Sequence, residues 1–77
     1  MPRFYFDTLN SEHDEDQEGI DLPDRFAARR EAVRFAGSVM KDQPDLLWDG
    51  TRFVVEVRGE GRTLLFKVSM QAEDFDD

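Results

Sequence analysis

The sequence predicts an α+β fold of order β-β-α-β-β, with one antiparallel sheet and a single helix packed across one of its faces. Three observations predict it. The opening run Arg3–Leu9 (RFYFDTL) is aromatic and β-prone. From Arg25 to about Lys41, Ala28, Ala32, Phe35, Ala36 and Val39 recur at helical spacing. Two closing runs, Thr51–Arg58 (TRFVVEVR) and Arg62–Met70 (RTLLFKVSM), alternate with period two.

After the first strand, Asn10–Glu18 is polar and charged and reads as a loop. Gly19–Leu22 follows as a short second strand, because Ile20 and Leu22 flank Asp21. Together they make an N-terminal hairpin with a long acidic tip. The seven-residue first run leaves open whether Tyr5 or the pair Phe4 and Phe6 faces the core.

Pro23-Asp24 marks the helix start, with Asp24 as N-cap. Lys41 suits the negative end of the helix dipole, and Asp42-Gln43-Pro44 stops the helix. Ala28, Ala32 and Ala36 are small enough for a close approach to the sheet. Asp49-Gly50 is a turn signal. If Phe53, Val55 and Val57 share a face with Leu64, Phe66 and Val68, then Val57 lies opposite Leu64. That register requires an even loop of two or four residues, with Gly61 at positive φ. The expected core is Phe4, Phe6, Ala28, Ala32, Phe35, Val39, Phe53, Val55, Val57, Leu64, Phe66 and Val68. Residues 1–72 form one domain and 73–77 an acidic tail expected to be flexible.

The chain has 77 residues, 18 acids against 10 bases, and a net charge of −8. Nine of the acids lie in two segments that hold no Lys or Arg, Glu12–Glu18 and Glu73–Asp77, so the rest of the chain is near neutral. A chain this short buries only about 60–65% of its extended-chain surface. With no Cys, disulfides and thiolate zinc sites are excluded as staples. Packing must suffice, and seven Phe, Trp48 and Tyr5 supply the material. Zero Cys and the lack of a signal-like or membrane-spanning apolar run fit a soluble cytoplasmic protein. The negative charge opposes direct contact with nucleic acid or an anionic membrane, and permits a basic protein partner.

No constellation for catalysis emerges. His13 is the single histidine, without a nucleophile or metal partner nearby in sequence, and carboxylates in an exposed loop lack the cleft that acid–base work needs. No catalytic, cofactor-binding or metal residue is assigned. Asp14-x-Asp16-x-Glu18-Gly19 has the opening spacing of an EF-hand loop, but Arg25 stands where the bidentate Glu belongs. Weak calcium binding by the acidic loop is the residual possibility. Arg25, Arg29, Arg30 and Arg34 on the helix form a solvated face, or meet the acidic loop or tail in the same chain or a second copy. Val54 and Leu65 point to the back of the sheet. If Tyr5 and Trp48 join them, that face is an apolar contact surface; otherwise Trp48 folds over the core edge.

Met1-Pro2-Arg3-Phe4-Tyr5-Phe6, then Glu18-Gly19-Ile20-Asp21-Leu22-Pro23-Asp24, the Ala27-Ala28-Arg29 and Glu31-Ala32 of the helix, and a hairpin after Asp49-Gly50 carry a resemblance. The chain resembles a domain-of-unknown-function family of short, mostly alphaproteobacterial proteins. Those open Met-Pro-Arg-Tyr-Phe-Phe and continue Glu-Gly-x-x-Leu-Pro-Asp before an alanine-rich helix. Members often carry His where this chain has Asp7, and the acidic segment is richer in acids here. The resemblance implies the same element order and brings no activity, cofactor or catalytic residue.

The functional expectation is a non-enzymatic protein-interaction module, acting through the exposed sheet face (Tyr5, Trp48, Val54 and Leu65) or an edge strand on a protein partner or a second copy. The alternative is an acidic decoy that uses Asp14, Glu15 and Asp16 to occupy a basic protein in place of nucleic acid.

Overall fold

The computed structural model describes residues 1–76, and its architecture is the expected α+β one. Strand β1 (Arg3–Leu9) is followed by two short strands, β2 (His13–Asp14) and β3 (Ile20–Asp21). Helix α1 (Arg25–Asp42) comes next, then β4 (Phe53–Arg58) and β5 (Leu64–Met70). All pairings are antiparallel. The sheet order is β2-β1-β4-β5, and β3 shares with β2 the outer edge of β1.

The helix begins where the sequence places it. The Asp24 carboxylate accepts from the Ala27 N–H at 2.9 Å, satisfying one of the free donors of the first turn. Ala28, Ala32 and Ala36 are fully buried against Phe4, Phe6, Phe53, Val55 and Val57. Three alanines in one stripe bring the helix backbone close to the sheet, and the aromatic rings of β1 and β4 fill the space beside them. Phe35, Val39, Phe66, Val68 and Met70 are half-buried around this centre, joined by Leu46 and Leu47 after the helix. In β1, Phe4 and Phe6 face the helix and Tyr5 faces away.

Two expectations are corrected. The hairpin tip is short: Asn10 accepts through its side chain from the Glu12 N–H at 2.8 Å, and the chain turns back at once. Residues 13–21 then run along the edge of β1 instead of projecting into solvent. The β4–β5 register also differs. Val57 pairs with Phe66 and Arg58 with Leu64, with a bulge between them. The Gly59 N–H donates to the Thr63 carbonyl at 2.9 Å, closing a three-residue loop, Glu60–Arg62. An odd loop alone would put Lys67 on the core face; the extra residue at the bulge restores the parity. Gly61 does take a positive φ of 73°, and Arg62 follows at 67°. One consequence is that Leu64 leaves the core and is 45% exposed. Residues 71–76 carry no regular structure, and Phe75 is exposed. Asp77 lies outside the described residues. Among the described residues, no helix is long and apolar enough to cross a membrane.

Candidate functional site

The outer edge of β1 is paired at its two ends and not in the middle. β3 pairs with Arg3 and Phe4, β2 with Thr8 and Leu9. Side chains bridge the gap. The Phe6 N–H donates to Asp16 Oδ2 at 3.1 Å, and the Asp16 N–H donates to Asp7 Oδ1 at 3.0 Å. Asp16 Oδ1 also accepts from the N–H groups of Glu18 (3.0 Å) and Gly19 (3.1 Å). Partial burial would raise the Asp16 carboxyl, but the N–H groups of Gly19, Phe6 and Glu18 and the nearby Arg62 charge outweigh it. The carboxyl is held below its ordinary value. Gly19 closes the segment at a φ of +73°, packed so tightly that a Cβ would lie 2.9 Å from both Arg3 Cγ and Tyr5 Cε2. Arg3 fixes the far end, bonding Asp21 at 2.9 Å and the Glu18 carbonyl at 2.7 Å.

Strand alternation puts Tyr5, Asp7 and Leu9 on the face away from the helix, opposite Arg58, Glu56 and Val54. Asp7 is fully buried there, the one buried charged residue among those described. Its Oδ2 is bonded by Arg62 and lies 3.3 Å from Arg58 Nε and 3.7 Å from His13 Nε2. Arg58 also bonds Glu56 at 2.8 Å, a hydrogen bond that raises the arginine's already high pKa, and the Arg62 carbonyl at 3.0 Å. The Arg62 guanidinium lies 5.5 Å from the centre of the Tyr5 ring and 3.8 Å from Glu15.

Among the described residues, Asp7, His13 and Glu56 are the one set that brings three potential metal-ligand atoms within 4.8 Å of one another. The chemistry of the set favours ion pairing. Two guanidinium groups already supply the positive charge that a cation would bring, and a metal would have to displace them. Within the EF-hand-like spacing, the Asp16 carboxylate is engaged by three backbone donors.

On the helix side of the same edge lies a cleft of about 360 Å³. Phe6, Ile20 and Phe35 give it an apolar floor, with Thr8 beside them. Asp14, Glu15 and Asp16 line it from the returning segment and Glu31 from the helix. Asp16 is held by backbone donors; of the other three carboxylates Asp14 is unpaired among the described residues, Glu15 lies 3.3 Å from Gln17 Nε2 and 3.8 Å from Arg62, and Glu31 lies 3.8 Å from Arg34. The cleft and the Asp7 cluster thus lie on opposite faces of one strand edge, tied together by residues 14–16.

The structure brings Asp14, Glu15 and Asp16 together but disperses the expected back-face set. Tyr5 lies under Arg62 and against Gly19. Val54 does lie on the back face, paired with Leu9 and Ser69. Leu65 sits at the bulge, half-buried against the core cluster and the Gly59 backbone. Trp48 neither covers the core edge nor joins the sheet; it is exposed in the turns between α1 and β4. The middle of the back face is charged, with Asp7, Glu56 and Lys67 in one row. The sequence reading missed Asp7, Arg58 and Arg62, and the cleft residues Phe6, Glu31 and Phe35. One signal pointed to Asp7: a charged residue on the same face as Tyr5 in an otherwise aromatic strand.

No curated protein and no solved structure matches the chain. The family model of a domain of unknown function, DUF6894, matches residues 3–71, a stretch that holds every strand, the helix, the Asp7 cluster and the cleft. The chain belongs to the DUF6894 family.

Proposed function

We propose that this chain is a non-enzymatic, cytoplasmic interaction module whose acid-rimmed cleft seats a positively charged, partly apolar segment of a protein partner. The single observation that carries the reading is the composition of that cleft: the apolar Phe6, Ile20 and Phe35 line it together with the acidic Asp14, Glu15 and Glu31. An arginine or lysine fits such a surface in both its parts. Its methylene stem lies on the rings and its charge reaches the rim. The network behind the cleft supports a binding role over a catalytic one. Asp16 is held ionised by backbone donors, the opposite of what a general acid needs.

Amide shifts of ¹⁵N-labelled protein, titrated with a short peptide of alternating Arg and Leu, test the reading. The expected shifts fall on Phe6, Thr8, Ile20, Glu31 and Phe35. Replacing Asp14 by Asn and Glu15 by Gln weakens binding about tenfold, at about 0.7 kcal/mol per exposed carboxylate. Shifts elsewhere, or none, overturn it. Recognition by charge alone, as in an acidic decoy for a basic protein, is the competing outcome. It leaves the floor residues unmoved and disappears at high salt.

A further inference from the structure

We infer that the segment seated in the cleft is the outer helix face of a second copy of this chain, so that copies join head to tail. The inference rests on the reading of the cleft given above and names its occupant. The chain carries a surface of the required chemistry. Phe26 and Val33 on α1 are 62% and 57% exposed. The Arg29 guanidinium lies 5.3 Å from the centre of the Phe26 ring. Arg29, Arg30 and Arg34 surround Val33 in a shallow concavity. Among the described residues Arg29 and Arg30 have no carboxylate partner, and Arg34 has only Glu31, at 3.8 Å. The cleft offers the converse: an apolar floor, with Asp14 unpaired among the described residues and Glu15 held loosely, by the exposed Gln17 side chain at 3.3 Å and by Arg62 at 3.8 Å. Charge and apolarity therefore match in sign and in arrangement.

Helical spacing of about 100° per residue decides the symmetry. Glu31 and Phe35 lie on the helix flank beside the cleft. Phe26, Arg29 and Val33 lie on the other flank, the one from which Arg25 reaches the Leu65 carbonyl of β5 at 2.6 Å. Two different surfaces on opposite flanks give a heterologous contact, which runs on into an open chain or a ring of three or more copies rather than a two-fold dimer.

Sedimentation of the full chain over a wide concentration range reads this directly. The expected weight-average mass rises with concentration without reaching a dimer plateau. Two variants make the test specific. Asp14→Lys with Glu15→Lys reverses the cleft rim and leaves the helix face intact. Arg29→Glu with Arg30→Glu reverses the helix face and leaves the cleft intact. Each is monomeric alone; mixed, the two associate again and alternate, because the Arg face then meets an acid rim at one contact and the Glu face meets a Lys rim at the next. If circular dichroism shows the rim-reversed chain unfolded, Asp14→Asn with Glu15→Gln takes its place, with loss of association as the readout. A wild-type chain that stays monomeric throughout overturns the inference. So does a mixture that stays monomeric, a dimer that survives both reversals, or association that depends on residues 73–77 and not on the rim. The fate of the broader reading is separate. If the Arg-Leu peptide still shifts the cleft residues of a monomeric chain, the cleft serves another protein, and if it does not, both readings fall.

Discussion

Replacing Asp16 is the sharpest test of how the acidic segment is built. Its carboxylate accepts from Phe6, Glu18 and Gly19 at 3.0–3.1 Å. The Glu18 N–H is exposed and can turn to water, so its loss costs little. The Phe6 and Gly19 donors are part-buried. Each loses a charge-assisted bond of about 1–1.5 kcal/mol once its partial access to solvent is allowed for. Asp16→Ala is therefore expected to destabilise the fold by about 2–3 kcal/mol. For a domain of this size, that lowers the midpoint of thermal unfolding by about 10–20 °C. Asp16→Asn should fall between the two. Its carboxamide oxygen can still accept from Glu18 and Gly19, but its NH₂ would face the Phe6 N–H, donor against donor. Urea unfolding followed by far-ultraviolet circular dichroism is the assay, since exposed Trp48 is a poor fluorescent reporter of folding. A loss below about 0.5 kcal/mol for Asp16→Ala would refute the argument, because that is the range of ordinary surface substitutions.

Three further outcomes follow from the same geometry. Gly61→Ala and Gly19→Ala both place a side chain at a φ of +73°, at a backbone cost of about 1–2 kcal/mol. Open space surrounds Gly61, whereas Gly19 meets Arg3, Tyr5 and the Phe4 carbonyl, so Gly19→Ala must be the more damaging in a denaturant series. Asp7→Ala removes the acceptor shared by Arg58 and Arg62. It should cost about 2–3 kcal/mol, at or below the usual value for breaking a buried pair because both arginines remain partly solvated. Arg62→Ala should cost less, about 1–2 kcal/mol, since Arg58 still faces Asp7. Finally, Asp16 has its carboxyl held below the ordinary 3.8, so the unfolded chain takes up its proton first as pH falls. The stability contributed by this group is present above about pH 4 and lost below it. An acid titration of the Asp16→Asn chain should show a shallower loss of stability there than wild type.

How far the sequence reveals this fold depends on the distance over which each feature is determined. Asp24, the alanine stripe and Gln43-Pro44 define the helix within a few residues of one another, and α1 runs where that pattern puts it. The alternation of Phe53, Val55 and Val57 is equally local. The β5 run is not decisive, because Leu64, Leu65 and Phe66 are consecutive apolar residues and satisfy either face. The bulge resolves that ambiguity, and it also brings Arg62 out of the loop toward β1. Asp7 illustrates the opposite limit. Its burial depends on Arg58 and Arg62, more than fifty residues away in sequence, and on the Asp16 backbone. No window over RFYFDTL contains those partners. The acidic run misleads for the same reason. Clustered carboxylates suggest a solvated tip, but Asp16 accepts from the Phe6 N–H of β1 besides the local Glu18 and Gly19, and that contact exists only once the segment lies along β1.

The division of labour among these acids links stability to binding. Asp16 faces inward onto the β1 backbone, while its neighbours Asp14 and Glu15 line the cleft on the helix side. Asp7 holds the Asp16 N–H from the other face of the sheet, and Arg62 bridges Asp7 and Glu15. The rim is therefore positioned by a chain of contacts that starts on the back of the sheet. A substitution there, such as Arg62→Ala, should loosen residues 14–16 and lower affinity at the cleft without touching the ligand. Hydrogen exchange at Asp16, Glu18 and Gly19 measures the loosening independently of binding. If exchange there is unchanged while peptide affinity rises, the two faces are coupled through charge, the loss of one cation leaving the rim more negative, and not through the position of the segment.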